Sequence, residues 1–444
     1  MLITRARLLD DREVDIRLQA SIIEIGPGLP AMPGEDVYDV RSGTVLPGLH
    51  DHHVHLRAAA AALSSVPAGP PEVRSSAALR QRLHRALPGD DGWIRAVGYH
   101  ETVGGELNQT LLDDVSPPGV PVRIQHRSGA MWALNSVALA RIGAAGQPDG
   151  RFFRADPALP RSTAQPPLGE LSRKLAALGV TGVTDATPGY RSEDIEKFSQ
   201  ARYSGELRQR LHCMAVAGTP GTDVVSVGPA KLILDDDNLD LGAVQAWVTD
   251  NHRHDHPVAI HAVTDSQLVV TIAALRAAGT HPGDRVEHAA VVPADCIADL
   301  RELGVTVVTQ PNFVAERGDE YVADVPAEQH DQLWRVASLR DAGVPVALST
   351  DTPFGAGDPW AAMRAAVSRR TPAGVVLVAP ERISAQAALT GFLGRADAPA
   401  VSRRIAVGEP GDLCVLSAAP QQVLAELDAG LVTATFVGGE LVYG

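Results

Sequence analysis

Along residues 170–395 the chain alternates between short runs of β-branched and aliphatic residues and longer stretches of helical composition. The runs fall at 180–185, 231–234, 258–261, 285–288, 305–308 and 344–348. Short strands separated by helices predict parallel βα units. Three more apolar runs, one leading to His53, one at 122–126 and one at 213–216, join the set, and an α/β fold closed as a (β/α)8 TIM-like barrel is the economical solution. The two ends read differently. Residues 1–47 form short alternating strands broken by turns such as Gly26-Pro27-Gly28-Leu29-Pro30, and residues 411–416 and 432–442 are short strands with Gly438-Gly439 placed for a hairpin. Both termini are therefore expected to meet in one β layer. The predicted organisation is a barrel over 48–399 with an insertion around 60–165, and a small companion domain built from 1–47 and 400–444.

Composition narrows the class without naming a function. The chain has 444 residues, 39 Lys plus Arg against 53 Asp plus Glu, a net charge of -14 and 45% hydrophobic residues. A barrel alone takes about 250 residues, which fits one large domain with a smaller companion. The acidic balance and the lack of a basic stripe argue against nucleic acid as a partner. Charge enters within the first residues, at Arg5, Arg7, Asp10 and Asp11, too early for a signal peptide, and no apolar run is long enough to span a bilayer. A cytoplasmic protein with no membrane partner is expected, with a homodimer as the default oligomer. Cys213, Cys296 and Cys414 are widely spaced, so neither a disulfide framework nor a thiolate metal site is indicated.

Candidate chemistry starts at His50-Asp51-His52-His53-Val54-His55, which places four histidines and a carboxylate at the end of an apolar strand. Strand alternation sends Asp51, His53 and His55 to one side and His50 and His52 to the other. His53 and His55 are thus placed to grip one ion, or else to form a solvated strand end. The distant residues bear on that choice. Lys231, His261, His288 and Asp351 each lie in or at the end of a predicted strand, where the βα loops of a barrel converge. Each singly reads as a hydrogen-bonded side chain or a helix cap; one shared site explains all of them at once.

This set, in this order, resembles the amidohydrolase superfamily, and its wording resembles the amidohydrolase family 3 branch that includes N-substituted formamide deformylase. The matching stretches are Pro47-Gly48-Leu49-His50-Asp51-His52-His53-Val54-His55-Leu56, Gly179 to Asp185, Ile260 to Asp265, Arg285 to Ala289, Gln310 to Phe313, Ser349 to Pro353 and Gly408 to Leu413. The resemblance implies a barrel flanked by a β-sandwich from both termini. It also implies that His53 and His55 bind one divalent metal and His261 and His288 a second, bridged by Lys231 once its amine is carbamylated. With Lys231 unmodified, the implied site is mononuclear: His53, His55, His261 and Asp351 on one ion, with His288 bonded to the nucleophile. Zinc suits the nitrogen and oxygen donors, although donor identity alone does not select it over manganese, iron or cobalt. A divalent ion lowers the pKa of bound water toward about 7, and Asp351 is placed to take and return the proton.

The expected activity is metal-dependent hydrolysis of an amide-like C–N bond in a small molecule by metal-bound hydroxide. Two alternatives remain: hydrolytic deamination of an amino-heterocycle, and a metal-binding scaffold without turnover. Against deamination, the sequence following His261 offers no Glu at the spacing a deaminase uses. Tyr99, His126, Gln310 and Trp360 are candidate substrate contacts, drawn from resemblance and strand-end position. Ser128-Gly129-Ala130 departs from the branch's Ser-Gly-His, and the segment between Gly150 and Gly169 is compressed. His252, His254 and His256 imitate a metal cluster but are expected to be a solvated connection. No Gly-rich phosphate cradle is present, so no nucleotide cofactor is expected.

Overall fold

Every residue of the strand Leu49–Val54 is buried, as is every residue of Arg285–His288 and Val346–Leu348. Strands covered on both faces suit a parallel sheet with helices packed around it. The structure, a computed structural model, describes residues 1–153 and 166–444. The chain divides into two units, residues 1–55 with 168–444, and residues 56–167. Part of the segment read as compressed, 154–165, lies outside the described residues.

In the first unit, Leu49–Val54, Val180–Tyr190, Arg210–Ala215 and Val225–Gly228 pair in that order, all parallel. A second parallel sheet runs Ala230–Ile233, Val258–Ala262, Arg285–His288, Thr306–Thr309, Val346–Leu348. Pro229 separates Val225–Gly228 from Ala230–Ile233. Proline has no N–H to give a ladder, and here one extended run leaves the first sheet and enters the second. The last run also returns to the first: Asp351 N donates to His53 O at 3.0 Å, His55 N to Thr352 O at 2.9 Å, and Thr350 N to the Asp51 carboxylate at 3.0 Å. Ring closure thus passes through the residues next to the expected metal ligands.

Helices begin directly beyond the strand ends because capping side chains wait there. Asp240 accepts from Ala243 N to start Leu241–Arg253, and Thr264 with Gln267 forms a capping box on Asp265–Ala278. Asp358 caps Pro359–Ser368, where proline at the first turn gives up no helical bond. Among the described residues, no helix is long and apolar enough to cross a membrane.

Strands from both termini form one continuous sheet, in which Thr44–Pro47 pairs antiparallel with Leu413–Leu416. The sheet folds over a single core containing Ile3, Ile16, Ile22, Leu413 and Phe436, and the Tyr38 ring meets the Phe436 ring edge-on at 5.5 Å. Gly438 and Gly439, with φ of +57° and +79°, make the tight turn between Val432–Val437 and Glu440–Tyr443.

The second unit has its own five-stranded sheet, ordered Arg151–Phe153, Met131–Leu134, Val122–His126, Ile94–Tyr99, Val66–Pro67. It carries a separate apolar core around Leu79, Leu83, Ile94, Leu112 and Ile124. This corrects one expectation: the 122–126 run is a strand, but it pairs with Ile94–Tyr99 and Met131–Leu134 in the sheet of the second unit and does not join the parallel strands of the first. An apolar run of five residues looks the same in either setting; only its pairing partners distinguish them.

Candidate metal centre

His53 lies within the Leu49–Val54 strand and His55 one residue past its end, while Asp351 follows Val346–Leu348 across the seam. The Asp351 Oδ1 atom stands 3.6 Å from His53 Nε2 and 3.4 Å from His55 Nε2. One ligand atom from each of these three residues falls within 4.8 Å of the others, a spacing that admits one cation among them. His288 joins from the next quarter of the ring, its Nδ1 4.0 Å from Asp351 Oδ2 and its ring centroid 4.8 Å from that of His53. The His261 ring is 4.5 Å from His288. Asp351 Oδ1 and Lys231 Nζ are both buried without a hydrogen-bond partner among the described residues. Buried polar atoms are ordinarily paired, so two orphans beside converging imidazoles fit a site built for a divalent ion.

The surrounding residues hold these groups in ligand form. His53 Nδ1 is bonded to the buried Glu287 carboxylate, which directs Nε2 toward Asp351. Arg285 in turn holds Glu287, its Nε donating to Oε1 at 2.7 Å. Thr187 Oγ1 sits 3.0 Å from His55 Nδ1, and Gln310 Oε1 2.8 Å from His288 Nδ1. Carboxylate and amide oxygens behind a ligating histidine fix its tautomer and raise its basicity as a donor.

The electrostatics agree. Burial pushes the basicity of His53 well down and that of His288 down, keeping both imidazoles neutral. Burial raises the Asp351 carboxyl, but the imidazoles of His55, His53 and His288 around it outweigh this and hold it well below the ordinary carboxylate range. Glu287 is likewise kept anionic, the charges of Arg285 and Lys231 overcoming burial. Burial lowers the Lys231 ammonium to about 8. His288, Ala289 and Asp351 have φ of +72°, +47° and +57°, left-handed values that non-glycine residues rarely adopt and that concentrate at functional sites.

The structure therefore brings together His53, His55, Lys231, His261, His288 and Asp351. It treats the expected substrate contacts differently. Gln310 is fully buried, with its oxygen on His288 and its amide nitrogen donating to Ser349 Oγ at 2.8 Å, so its polar atoms are engaged in orienting the His288 ring. Trp360 is fully buried too, its indole N–H donating to Leu178 O at 2.9 Å, so it anchors the Pro359–Ser368 helix. Tyr99 and His126 belong to the 56–167 unit. There the Tyr99 hydroxyl donates to Gly105 O at 2.7 Å and His126 lies between Glu101 and Ser128. His252, His254 and His256 point to three unrelated acceptors, Asp284, the Asp250 carbonyl and the Ala215 carbonyl.

Sequence reasoning gave no role to Glu287, Arg285 or Thr187. A signal existed for the first two: an Arg-x-Glu pair on a strand buried at every position needs partners of its own.

Comparison with known proteins adds to this geometry. A family model described as "Amidohydrolase family" matches residues 36–443. The N-substituted formamide deformylase of Arthrobacter pascens is 26% identical over 496 aligned residues, covering 93% of this chain and 91% of the relative. Among solved structures, an uncharacterized metal-dependent hydrolase from Pyrococcus horikoshii superposes with a TM-score of 0.76 at 18% identity, covering 95% of this chain and 98% of that one. N-isopropylammelide isopropylaminohydrolase from Burkholderia multivorans gives 0.57 at 16% identity, over 100% and 97% of the two chains. At these identities the two structures establish likeness of fold.

Proposed function

The chain belongs to the amidohydrolase family and is a hydrolase of carbon–nitrogen bonds other than peptide bonds, and from that premise we propose that the cluster of His53, His55 and Asp351 is its reaction centre. One observation carries the proposal: an anionic, buried Asp351 with an unpartnered Oδ1 faces the Nε2 atoms of two histidines. His53, His55 and Asp351 would hold one divalent ion, with His261, His288 and Lys231 available for a second; zinc suits this donor set. When bound, such an ion acidifies water and polarises a carbonyl oxygen.

The chain's own residues supply the remainder. Asp351 accepts the proton of the attacking water at its free oxygen and returns it to the departing nitrogen. Glu287 holds His53 in the tautomer that presents Nε2, and Thr187 fixes the orientation of the His55 ring through its Nδ1. Gln310 fixes the His288 ring beside Asp351. Lys231, lowered to about 8, has a larger neutral fraction than a surface lysine. A neutral amine adds carbon dioxide, forming an N–C bond with loss of a proton, and becomes an anionic two-oxygen ligand. Carbamylated Lys231 would complete a two-ion site. The substrate class we favour is the N-substituted formamide that names the Arthrobacter relative, a small molecule met in the cytoplasm.

The test is turnover of the metal-reconstituted protein on N-formyl amines, N-acyl amino acids, hydantoins, lactones and amino-heterocycles, with metal counted per chain. Hydrolysis of an amide-like C–N bond with one or two ions bound is the expected result. Deamination as the sole activity, or full turnover in the presence of a chelator with no metal bound, would overturn it.

A further inference from the structure

Just past the strands that carry His261 and His288 lies a half-open cavity of about 320 Å3. Its lining begins two residues beyond each histidine, at Val263 and Ala290, and continues through Leu333, Trp334 and the end of the Asn312–Asp324 helix. Backbone bonds join these walls: Trp334 N donates to Ala290 O at 2.8 Å, and Val291 bridges to Leu333. Val291, Leu333 and Trp334 are buried, so the floor is apolar. The Phe313 and Tyr321 rings, 5.3 and 6.1 Å from Trp334, fix the indole in place.

Two features mark the cavity as a place for a ligand. Trp334 is 2% exposed, yet its indole N–H has no acceptor among the described residues. A buried donor left unpaired is costly, and an acceptor brought from outside removes that cost. The rim is also unbalanced: Asp236, Asp265 and Asp324 line it, and no Lys, Arg or His does among the described residues. The partners recorded for two of these are neutral, Asp236 accepting from the Thr264 hydroxyl at 2.8 Å and Asp265 from the Gln329 amide at 2.9 Å. Their negative charge therefore remains available to a ligand. A rim of one sign selects by attraction and by exclusion together.

We infer that this cavity receives the substrate's side arm, and that the arm it takes is an apolar body with a hydrogen-bond acceptor and a positively charged end, carboxylate-ended arms being rejected. The inference rests on the reading of His53, His55 and Asp351 as the reaction centre, since it assigns the neighbouring space to that centre's substrate.

Three probes of one size separate the possibilities: 4-(aminomethyl)benzamide, 4-(hydroxymethyl)benzamide and 4-carboxybenzamide. Each offers an aromatic body and a carbonyl acceptor, and the charge at the far end runs from positive through neutral to negative. Calorimetric titration into the full-length, metal-loaded protein should rank them in that order, with the cation at least about tenfold tighter than the anion at low salt. The ratio should fall as salt rises and collapse toward one in the double variant Asp236→Asn/Asp324→Asn. Both positions are exposed, so the variant keeps its fold. Trp334→Phe should weaken all three probes together. Equal or tighter binding of the carboxylate, or selectivity that survives the double variant, would overturn the inference. Cation-selective binding without hydrolysis of the matching N-formyl amines would leave the cavity assignment standing and remove the hydrolytic reading. Hydrolysis indifferent to the end charge would do the reverse.

Discussion

The Leu49–Val54 strand and its next residue present histidines to two environments, and only one environment prepares them for chemistry. On one face, His53 and His55 meet Asp351, and His53 is backed by Glu287. On the other, His50 and His52 stack on each other with centroids 4.6 Å apart; His50 bonds to Thr184 Oγ1 at 2.9 Å, and neither ring nitrogen of His52 has a partner among the described residues. All three histidines of the strand itself are buried, and burial pushes the basicity of each far down. Burial is thus common to both faces and cannot be what makes a ligand. The difference lies in the acids: one face has a carboxylate in front of the imidazoles and another behind, while the other face has a hydroxyl and a second imidazole. Fixed anions, and not burial, separate the histidine pair suited to holding a metal from the pair that is packed away.

Removing the anion in front should break this contrast most severely. Asp351→Asn keeps the shape and a neutral oxygen toward the ion but loses the proton acceptor, so at saturating metal kcat should fall by about 10²- to 10⁴-fold while metal, read by mass spectrometry, is still bound. Near-normal kcat would remove Asp351 from the proton path. The anion behind should matter less: Glu287→Gln should weaken metal binding about 10- to 100-fold in a chelator competition, with a smaller loss of kcat at saturating metal.

On the opposite side the expected effects are on stability alone. His212, which lines a cavity of about 240 Å3 with His50, has its basicity lowered to about 4, chiefly by burial and then by the charge of Arg285, with Asp397 opposing. Its unfolded value is near 6.5, so the unfolded chain binds the proton more readily. The neutral folded form is fully favoured above about pH 6.5, and stability drains away as pH falls from there toward about 4. His212→Gln should flatten that slope in denaturant midpoints taken across the range; an unaltered slope would assign it to other groups. The mildest change should be His52→Leu. Replacing a buried, unpartnered ring with an apolar side chain should shift stability by less than about 1.5 kcal/mol and leave metal affinity intact. A large loss of metal would mean that the two faces are not separate.

Much of the site was legible because barrel chemistry sits at strand ends, and strand ends can be read from short apolar runs. Alternation alone separated His53 and His55 from His50 and His52, and Lys231, His261 and His288 each lie within a run that the structure also shows as a strand, while Asp351 follows one. What was illegible depends on contacts across long stretches of chain. Glu287 meets His53 from 234 positions away, and nothing near either residue announces the other. Gln310 and Trp360 are expected as substrate contacts from resemblance and strand-end position. Such positions say that a side chain is near the mouth, without saying whether its polar atoms are already engaged. The 122–126 run failed for the same reason, since pairing partners are absent from local pattern.

The bond from Asp51 to Thr350 joins residues 299 positions apart and stands immediately before Asp351. The carboxylate that completes the cluster is therefore delivered to the histidines only when the first and last strands of the ring have met. Contacts this distant in sequence form late, because loop closure must precede them. Intermediates that have built most of the parallel strands should remain blind to metal. An ion that binds tightly only to the finished ring acts as a latch on the native state and, in a refolding experiment, counts the molecules that have closed.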